Sequence, residues 1–456
     1  MSEAEAKQIE RMKTLLATQR DAFRHERHRP LDLRKGDLDR IADLCRKNSD
    51  AICEAISRDF GNRAKQESVI GEIAFVIQDA DHTAKHLGKW AKSRTVSTPM
   101  TMMPGKATIR REPKGVVGIV SPWNYPFQLA MAPLVAALGA GCRAMIKPSE
   151  LTPATAELMK RLIGEAFEED HVCVITGGPA VGQAFSSLKF DHLFYTGSTQ
   201  VGRLVAMAAA ENLVPVTLEL GGKSPAIVTP GYPEVSAAKS IGWGKFFNAG
   251  QTCVAPDYVM VPKGEEKSLG EAIIRIAEHE FPEASSDDAY TAIVSDKHYE
   301  RLNAMIQAAQ AARKIPPTVI LNPPADSKLM NEEIFGPLLP VIGYSEIDAA
   351  TNYVADREHP LALYVYSTDK EMAARILDQS QSGGVGINTN LLHLSIPDLP
   401  FGGIGASGQG AYHGEAGFLT FSHERSVFAT GKWHPSRLLA PPYGKFYETI
   451  AKKQMS

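Results

Sequence analysis

The segment GVVGIVSPWNYPFQLAMAPLVAALGAGCRAMIKPSE, residues 115–150, decides the fold of this chain. Its pattern predicts a short apolar strand, GVVGIV, then a helix, then a second apolar strand, CRAMIK. The alternation continues through HVCVITG, a helical pattern near 180–187, HLFYTG, QVGRLVAMAAAEN and VPVTLEL. Strands that alternate with helices in this way predict an α/β fold with a doubly wound parallel sheet.

Polar motifs follow several of these predicted strands. In doubly wound sheets, ligands bind beyond the carboxyl ends of the strands. Those ends carry Pro122-Trp-Asn-Tyr125, Lys147-Pro-Ser-Glu150, Gly177-Gly178 and Thr196-Gly-Ser-Thr199. The arrangement therefore predicts a nucleotide-binding domain.

The flanking sequence divides into further units. Residues 1–93 carry apolar residues at helical spacing, and the Pro-, Thr- and Met-rich run 93–115 predicts an exposed extended excursion. A second α/β region follows Gly221, with helices expected at 233–247 and 265–280. We predict two doubly wound parallel-sheet domains. The predicted bounds are 1–93 with 115–220 for the nucleotide-binding domain and 221–406 for the domain that carries the candidate thiol Cys253, with 94–114 and 407–456 outside both.

Composition narrows the classes of partner. The 456 residues include 49 Lys and Arg against 52 Asp and Glu, a net charge of −3, which gives no basic surface for nucleic acid. No stretch approaches the roughly 20 apolar residues that cross a bilayer, so no membrane span is expected. The charged N-terminus lacks the apolar core of a signal peptide, which predicts a cytoplasmic protein.

Five cysteines separate into two groups. Their odd number, wide spacing and lack of a C-x-x-C pair argue against a disulfide framework, and no metal site is predicted. Four of them, Cys45, Cys53, Cys142 and Cys173, have mainly aliphatic neighbours, which is typical of buried inert thiols. Cys253, in NAGQTCVAPDYV, lies among Gly, Gln, Thr and Pro and is the candidate for a reactive thiol.

A thiol nucleophile needs a base or nearby donors, since an ordinary Cys is mostly protonated at neutral pH. Glu219 lies inside the otherwise apolar run VPVTLEL, two residues before Gly221-Gly222, and an acid there is costly to bury without a function. Asn124 lies in a turn bounded by Pro122 and Pro126 and offers a rigid amide donor for an oxyanion. An Asn in such a turn is also ordinary turn chemistry.

Two motifs suggest a dinucleotide. Gly197-Ser198 through Gly202 opens a helix whose N–H groups can hold a pyrophosphate, although the same turn is typical of an ordinary helix cap. Lys147 and Glu150 can bind ribose hydroxyls, and an acid there favours NAD over NADP. A surface ion pair is the alternative for these two residues.

Seven motifs in order resemble the aldehyde dehydrogenase family over about residues 30–430: SPWNYPF, IKPSE, FYTGST, LELGGKSP, FNAGQTCVAPDYV, NEEIFGPLLP and LPFGGIGASGQGAYHG. The short N-terminus and the AYHGEAGFLTFSH and APPYG segments resemble its class 3, fatty-aldehyde and coniferyl-aldehyde branch. The resemblance implies oxidation of an aromatic aldehyde, such as coniferyl aldehyde, or of a medium-chain aliphatic aldehyde. It also implies a homodimer, bridged by 93–115 and the C-terminal tail.

The resemblance implies a role for each matching residue. Cys253 would form a thiohemiacetal, Asn124 and the Cys253 N–H would hold its oxyanion, and Glu219 would activate the hydrolytic water. NAD is the implied cofactor, with NADP a weaker alternative, bound by Trp123, Lys147, Glu150, Gly177, Gly197, Ser198, Gly202, Glu333 and Phe335. Tyr125 and Phe401 would line the aldehyde tunnel. His413 lies near its mouth or is a structural histidine.

Two other functions and one departure accompany this interpretation. A non-redox esterase or acyltransferase would use Cys253 and Glu219 but would leave Glu150, Ser198 and Glu333 without purpose. A non-catalytic binding protein would not need Cys253 or Glu219. The helical pattern NAMIQAAQAARK runs directly into IPPTVILNPP, so near 310–316 either a surface loop is shorter than in relatives or residues are missing.

Overall fold

A computed structural model describes residues 3–284, 286–306, 313–432, 440–441 and 444–455. In this part of the chain, no helix combines the length and the apolar composition that crossing a membrane requires. The expected short loop near 310–316 lies partly outside the described residues.

Helices and strands alternate through most of the chain. The helices are α1 Glu3–His25, α2 Leu31–Lys47, α3 Ser49–Phe60, α4 Lys65–Ser68, α5 Phe75–Trp90, α6 Gln128–Ala140, α7 Pro153–Ala166, α8 Pro179–Ser186, α9 Thr199–Ala210, α10 Glu234–Phe246, α11 Glu266–Glu280, α12 Asp296–Ile306, α13 Lys328–Asn331, α14 Ile347–Ala355, α15 Lys370–Asp378, α16 Gly414–Thr420 and α17 Lys445–Met455. The strands are β1 Arg94–Val96, β2 Lys106–Pro113, β3 Val116–Val120, β4 Arg143–Lys147, β5 Val172–Val174, β6 His192–Thr196, β7 Val216–Glu219, β8 Pro225–Val228, β9 Tyr258–Pro262, β10 Thr318–Leu321, β11 Leu338–Tyr344, β12 Ala362–Tyr366, β13 Gly384–Ile387, β14 Gly408–Gln409 and β15 Ser422–Ala429.

The first sheet has the order β14-β7-β6-β3-β4-β5 and is parallel except for the antiparallel edge strand β14. Because β4 and β5 lie on one side of β3 while β6 and β7 lie on the other, the winding reverses at β3, as in dinucleotide-binding sheets. Helix α6 is buried along its whole length, which explains why it is apolar on every face. This arrangement confirms the predicted doubly wound sheet.

The second sheet has the order β10-β11-β9-β8-β12-β13 and is parallel throughout. The expected helices at 233–247 and 265–280 are α10 and α11, and DYVMVP contains β9. The two-sheet α/β architecture is therefore the one that the sequence predicts.

A third, three-stranded antiparallel sheet joins β1, β2 and β15. Part of the segment 407–456 also contacts the first sheet and its helices, because β14 pairs with β7 and α16 packs on α5 and α6. The Gly-rich chain before α16 thus covers the edge of the first sheet, where an open strand would otherwise remain. The strand β15 then joins the third sheet.

The start of α7 is capped by a residue distant in the chain. The sequence Thr152-Pro153 is typical of an N-cap followed by the first helical residue, and Thr152 occupies the N-cap position, but its side chain makes no cap hydrogen bond. The Asp59 carboxylate at the end of α3 accepts instead from the N–H groups of Ala154 and Thr155, both at 2.8 Å, and from the Thr155 hydroxyl at 2.7 Å. A distant carboxylate therefore caps this helix.

Candidate active site

The turn after β3 contacts the loop before β9. The Asn124 Nδ2 donates to the carbonyl of Gln251 at 3.1 Å, and the Tyr125 hydroxyl lies 2.7 Å from the Thr252 hydroxyl. The Asn124 carbonyl accepts from the Asn248 Nδ2 at 3.1 Å. These contacts bring the predicted amide donor beside the segment that carries Cys253.

An unusual backbone presents Cys253. Asn248, Ala249 and Gly250 have φ values of 52°, 49° and 72°, all in the left-handed region. A Cβ at Gly250 would collide with the carbonyl oxygen of Gly336, so the close approach of these two loops requires glycine. Consecutive left-handed residues are strained and persist where the surroundings hold them, which is common at functional sites.

Cys253 is half-buried, whereas the other four cysteines are buried. Burial, with the negative charges of Glu333 and Glu219 added, raises the pKa of the Cys253 thiol to about 12; the backbone N–H groups of Cys253 and Val254 act in the opposite direction. The thiol is therefore protonated at neutral pH and needs a proton acceptor before it can attack.

Glu219 ends β7 and is buried, and no described residue hydrogen-bonds to either of its carboxylate oxygens. Burial raises its pKa well above 4.5. A carboxyl group with a raised pKa, close enough to influence a thiol, is suited to accept a proton near neutral pH.

The loop before β11 supplies a second carboxyl. The Glu333 carboxylate accepts from the N–H of Gly222 at 3.1 Å, and burial raises its pKa to about 7. Phe335 has a φ of 49°, and its ring meets that of Trp123 edge-on at 5.3 Å between centroids. The structure thus brings Glu333 within electrostatic range of Cys253 and places Phe335 against Trp123.

A cavity of about 420 Å³ lies at the carboxyl ends of β4 and β5 and is lined by Glu150 and Gly177, among others. The Lys147 Nζ donates to the Pro148 carbonyl at 2.7 Å and lies 3.7 Å from a Glu150 carboxylate oxygen. Burial lowers the pKa of Lys147. A buried ammonium and a half-exposed carboxylate beside a cavity fit the two hydroxyls of a ribose, so these residues suit a dinucleotide.

The turn between β6 and α9 contains the remaining predicted cofactor residues. The Ser198 hydroxyl accepts from the Val201 N–H at 3.4 Å and caps α9, so the alternative interpretation of this turn as a helix cap also holds. A Cβ at Gly202 would lie 2.6 Å from the Leu220 side chain. Gly202 therefore permits close packing of α9 on the chain beyond β7, and Gly197 belongs to the same turn.

The predicted tunnel residues lie on different sides of the site. Tyr125 is buried and contacts the loop of Cys253, whereas Phe401 stacks on His413 with centroids 5.3 Å apart. His413 is buried, and burial lowers its pKa to about 3, so it is neutral. It packs against Phe401 and Phe75, which favours a structural role.

Sequence reasoning missed several buried charged residues near the site. Lys245 is fully buried with a pKa lowered to about 8, chiefly by burial. Asp257 accepts from the Ile334 N–H at 2.9 Å and pairs with Lys223, which holds the Glu333 loop in place. Lys223 lies in LELGGKSP and Asp257 in CVAPDY. A charged residue within each of these largely apolar motifs was the sequence signal that could have identified them.

The sequence model of the aldehyde dehydrogenase family matches residues 1–427. The chain belongs to the aldehyde dehydrogenase family. This confirms the predicted family, and with it an enzyme that oxidises aldehydes to acids with a nicotinamide cofactor.

Named relatives of this aldehyde dehydrogenase agree with its architecture. It is 43% identical to a probable coniferyl aldehyde dehydrogenase of Pseudomonas aeruginosa over 98% of this chain and 96% of that protein. It is 38% identical to a dimeric NADP-preferring aldehyde dehydrogenase of Mus musculus, over 89% of this chain and 92% of that one. The substrate-bound structure of Staphylococcus aureus AldH matches with a TM-score of 0.93 and 38% identity, covering 98% and 99% of the two chains.

Proposed function

We propose that this enzyme oxidises its aldehyde through a covalent thiohemiacetal, then a thioester, at Cys253. The observation that carries the proposal is the contact between Asn124 and Gln251, two residues before Cys253, together with the two carboxyls that act on the thiol. The thiol passes its proton to a carboxyl, and the sulfur attacks the aldehyde carbon. One Asn124 Nδ2 hydrogen donates to Gln251, and the second donates to the new oxyanion.

The second half of the reaction regenerates the thiol. A bound nicotinamide cofactor would supply the acceptor for the hydride that leaves the aldehyde carbon, and Glu333 would hold its ribose. The carboxyl that took the thiol proton releases it to solvent. Glu219 then removes a proton from water, and the resulting hydroxide adds to the thioester. The sulfur leaves as a thiolate and takes the proton back from Glu219 as the acid departs. The apolar surroundings of Glu219 keep its basicity high enough for this step.

We propose NAD as the preferred cofactor, with NADP second. Lys147 and Glu150 bind the adenosine ribose, Ser198 and the α9 N–H groups bind the pyrophosphate, and Glu333 binds the nicotinamide ribose. The Glu150 carboxylate would repel a 2′-phosphate. Support comes from the half-exposed Glu150 lining the cavity beside β4.

We propose aromatic aldehydes of the coniferyl type as the preferred substrates, with medium-chain aliphatic aldehydes second. The Tyr125 hydroxyl contacts Thr252 in the thiol loop, and Phe401 packs against the same apolar cluster as Cys253. Trp243 lies 5.8 Å from Phe247, next to that loop. The 43% identical Pseudomonas relative carries coniferyl aldehyde in its name.

We further propose a cytoplasmic homodimer whose cofactor domain comprises 1–93 and 115–220 and whose thiol domain comprises 221–406. The five free cysteines support a reducing compartment. The third sheet and the segment beyond it would bridge the subunits, and a mouse relative is named as dimeric.

The test is a panel of aldehydes with each cofactor, followed by NAD(P)H absorbance. We expect the highest kcat/KM for coniferyl aldehyde with NAD. A thiol esterase would hydrolyse an activated ester without forming NADH from any aldehyde, and that outcome would reject the proposal. Better turnover with NADP would reject only the cofactor preference.

A further inference from the structure

We propose that Arg63 is a positioning residue that holds the oxyanion amide of Asn124 in place. Arg63 lies between α3 and α4, far along the chain from both Asn124 and Cys253. The inference rests on the proposed function of Asn124, and nothing in the oxidation itself requires an arginine there.

Arg63 forms a fully buried ion pair. Its Nη1 lies 2.6 Å from the Glu72 carboxylate, and neither side chain is exposed to solvent. The same Nη1 donates to the backbone carbonyl of Asn124 at 3.2 Å. The guanidinium carbon also lies 4.7 Å from the centre of the Tyr125 ring, which is the distance of a cation–π contact.

Asn124 is consequently held from several directions. Its carbonyl accepts from Arg63 on one side and from the Asn248 Nδ2, at 3.1 Å, on the other. Its own Nδ2 donates to Gln251 at 3.1 Å. The side-chain amide therefore cannot turn without breaking its bond to Gln251, and the backbone that carries it cannot shift without breaking contacts to Arg63 or Asn248.

Glu72 fixes the other end of the same turn. Its second carboxylate oxygen accepts from the N–H groups of Phe127 and Gln128, at 2.8 and 3.0 Å. Glu72 lies in a π-helical turn, Val69–Ala74, a geometry that is frequent at functional sites. Arg63 and Glu72 together thus clamp the chain from Asn124 to the start of α6.

Stability alone does not explain this pair. Buried ion pairs contribute little net stability, because desolvation offsets their attraction. In addition, the Nε and Nη2 atoms of Arg63 are buried without a hydrogen-bond partner among the described residues. Burying two unpaired guanidinium nitrogens is unfavourable. The hydrogen bond from Nη1, which fixes the backbone position of Asn124, explains better why an arginine occupies this place.

The test compares Arg63→Lys, Asn124→Ala and the double variant by the rate of the pre-steady-state NADH burst. Lysine keeps the charge beside Glu72 but lacks the planar fork of donors. We expect Arg63→Lys to slow the burst about tenfold or more, as misplacement of a catalytic group does. In the Asn124→Ala background the same change should have almost no effect, because the amide that Arg63 positions is gone.

Three controls separate positioning from a general loss of structure. Alkylation of Cys253 by iodoacetamide and the Kd for NAD should be unchanged by Arg63→Lys. Arg143→Lys alters another nearly buried arginine, paired with Glu26 and Asp170 at the amino end of β4, and should leave the burst unchanged. If Arg63→Lys does not fold, Arg63→Gln with Glu72→Gln replaces both charges by amides and should slow the burst in the same way.

Two results would overturn the inference: a burst rate within about twofold of the parent enzyme, or an equal loss in the presence and absence of the Asn124 side chain. If Asn124→Ala alone kept the parent burst rate, the proposed oxyanion role would fail first, and the inference would fail with it. A slow burst confined to enzyme that retains Asn124 supports it.

Discussion

The two six-stranded sheets meet the active site with opposite ends. Asn124 and Glu219 follow strands of the first sheet, β3 and β7, at their carboxyl ends. Cys253 and Glu333 precede strands of the second sheet, β9 and β11, at their amino ends. The rule that ligands bind beyond carboxyl ends therefore holds for the first sheet only.

This difference follows from the chain segments that adjoin the two ends of the parallel strands. Carboxyl ends of parallel strands lead into helix N-termini, whose N–H groups suit phosphates. The amino ends of the second sheet receive longer loops, such as 247–257, which can hold strained backbone and direct a thiol into the cleft. In the proposed mechanism, the first sheet supplies cofactor contacts and the base, and the second sheet supplies the nucleophile.

Removing the thiol is the strongest test of the proposed division of roles between the two sheets. Cys253→Ala should lower NADH formation by at least about 10⁴-fold, the scale of losing a covalent nucleophile, while NAD binding stays measurable. The matched control is Cys173→Ala in β5 of the first sheet, a buried thiol, which should retain activity. Appreciable dehydrogenase turnover by Cys253→Ala would contradict the assignment.

The base on the first sheet can be separated from the thiol. Glu219→Gln should slow steady-state turnover by roughly 10²- to 10⁴-fold, the range for general-base catalysis. Because hydrolysis follows hydride transfer, one equivalent of NADH per active site should still appear in a stopped-flow burst. Unchanged steady-state turnover would show that another group activates the water.

A charge at the carboxyl end of β4 should affect only the choice of cofactor. Glu150→Gln should raise the ratio of kcat/KM for NADP to that for NAD about tenfold, because one repulsive charge near the 2′ position is lost. Glu157→Gln removes a carboxylate that lines the same cavity from α7 and should change the ratio much less. Equal effects of the two variants would argue against a specific ribose contact at Glu150.

The smallest expected effect is on the stability of α7, a helix that packs beside the first sheet. Asp59→Ala should lower the free energy of unfolding by ~1 kcal/mol through loss of the α7 cap, while Thr152→Val, which removes a hydroxyl without a cap bond, should leave it nearly unchanged. Thermal unfolding of both variants measures this. A larger decrease in the free energy of unfolding for Thr152→Val than for Asp59→Ala would show that Thr152, and not Asp59, caps α7.

Local patterns were sufficient for much of this enzyme. Alternating apolar strands and helices predicted both sheets. The uncommon setting of Cys253 and the acid inside VPVTLEL separated two candidate catalytic residues from ordinary ones. These signals are local, since each depends on a residue type that is out of place among its immediate neighbours.

Other features depend on residues far apart in the chain. The Asp59 cap, the Arg63–Glu72 clamp and the pairing of β14 with β7 join segments that no spacing rule connects. The burial and contacts of Lys245 and Asp257 could not be predicted either, because a charged residue in an apolar motif does not indicate which distant residue it will contact.

The sequence by itself determined the α/β class, the two doubly wound sheets and the family of this aldehyde dehydrogenase. Apolar periodicity and the order of the motifs are properties of the linear sequence, so they can be recognised without the fold. The tertiary structure decided which sheet end each catalytic group occupies and what holds it there. It did so because burial raises the pKa of Cys253 and Glu219, and hydrogen bonds from distant segments hold Asn124. Both exist only once the two sheets have packed together.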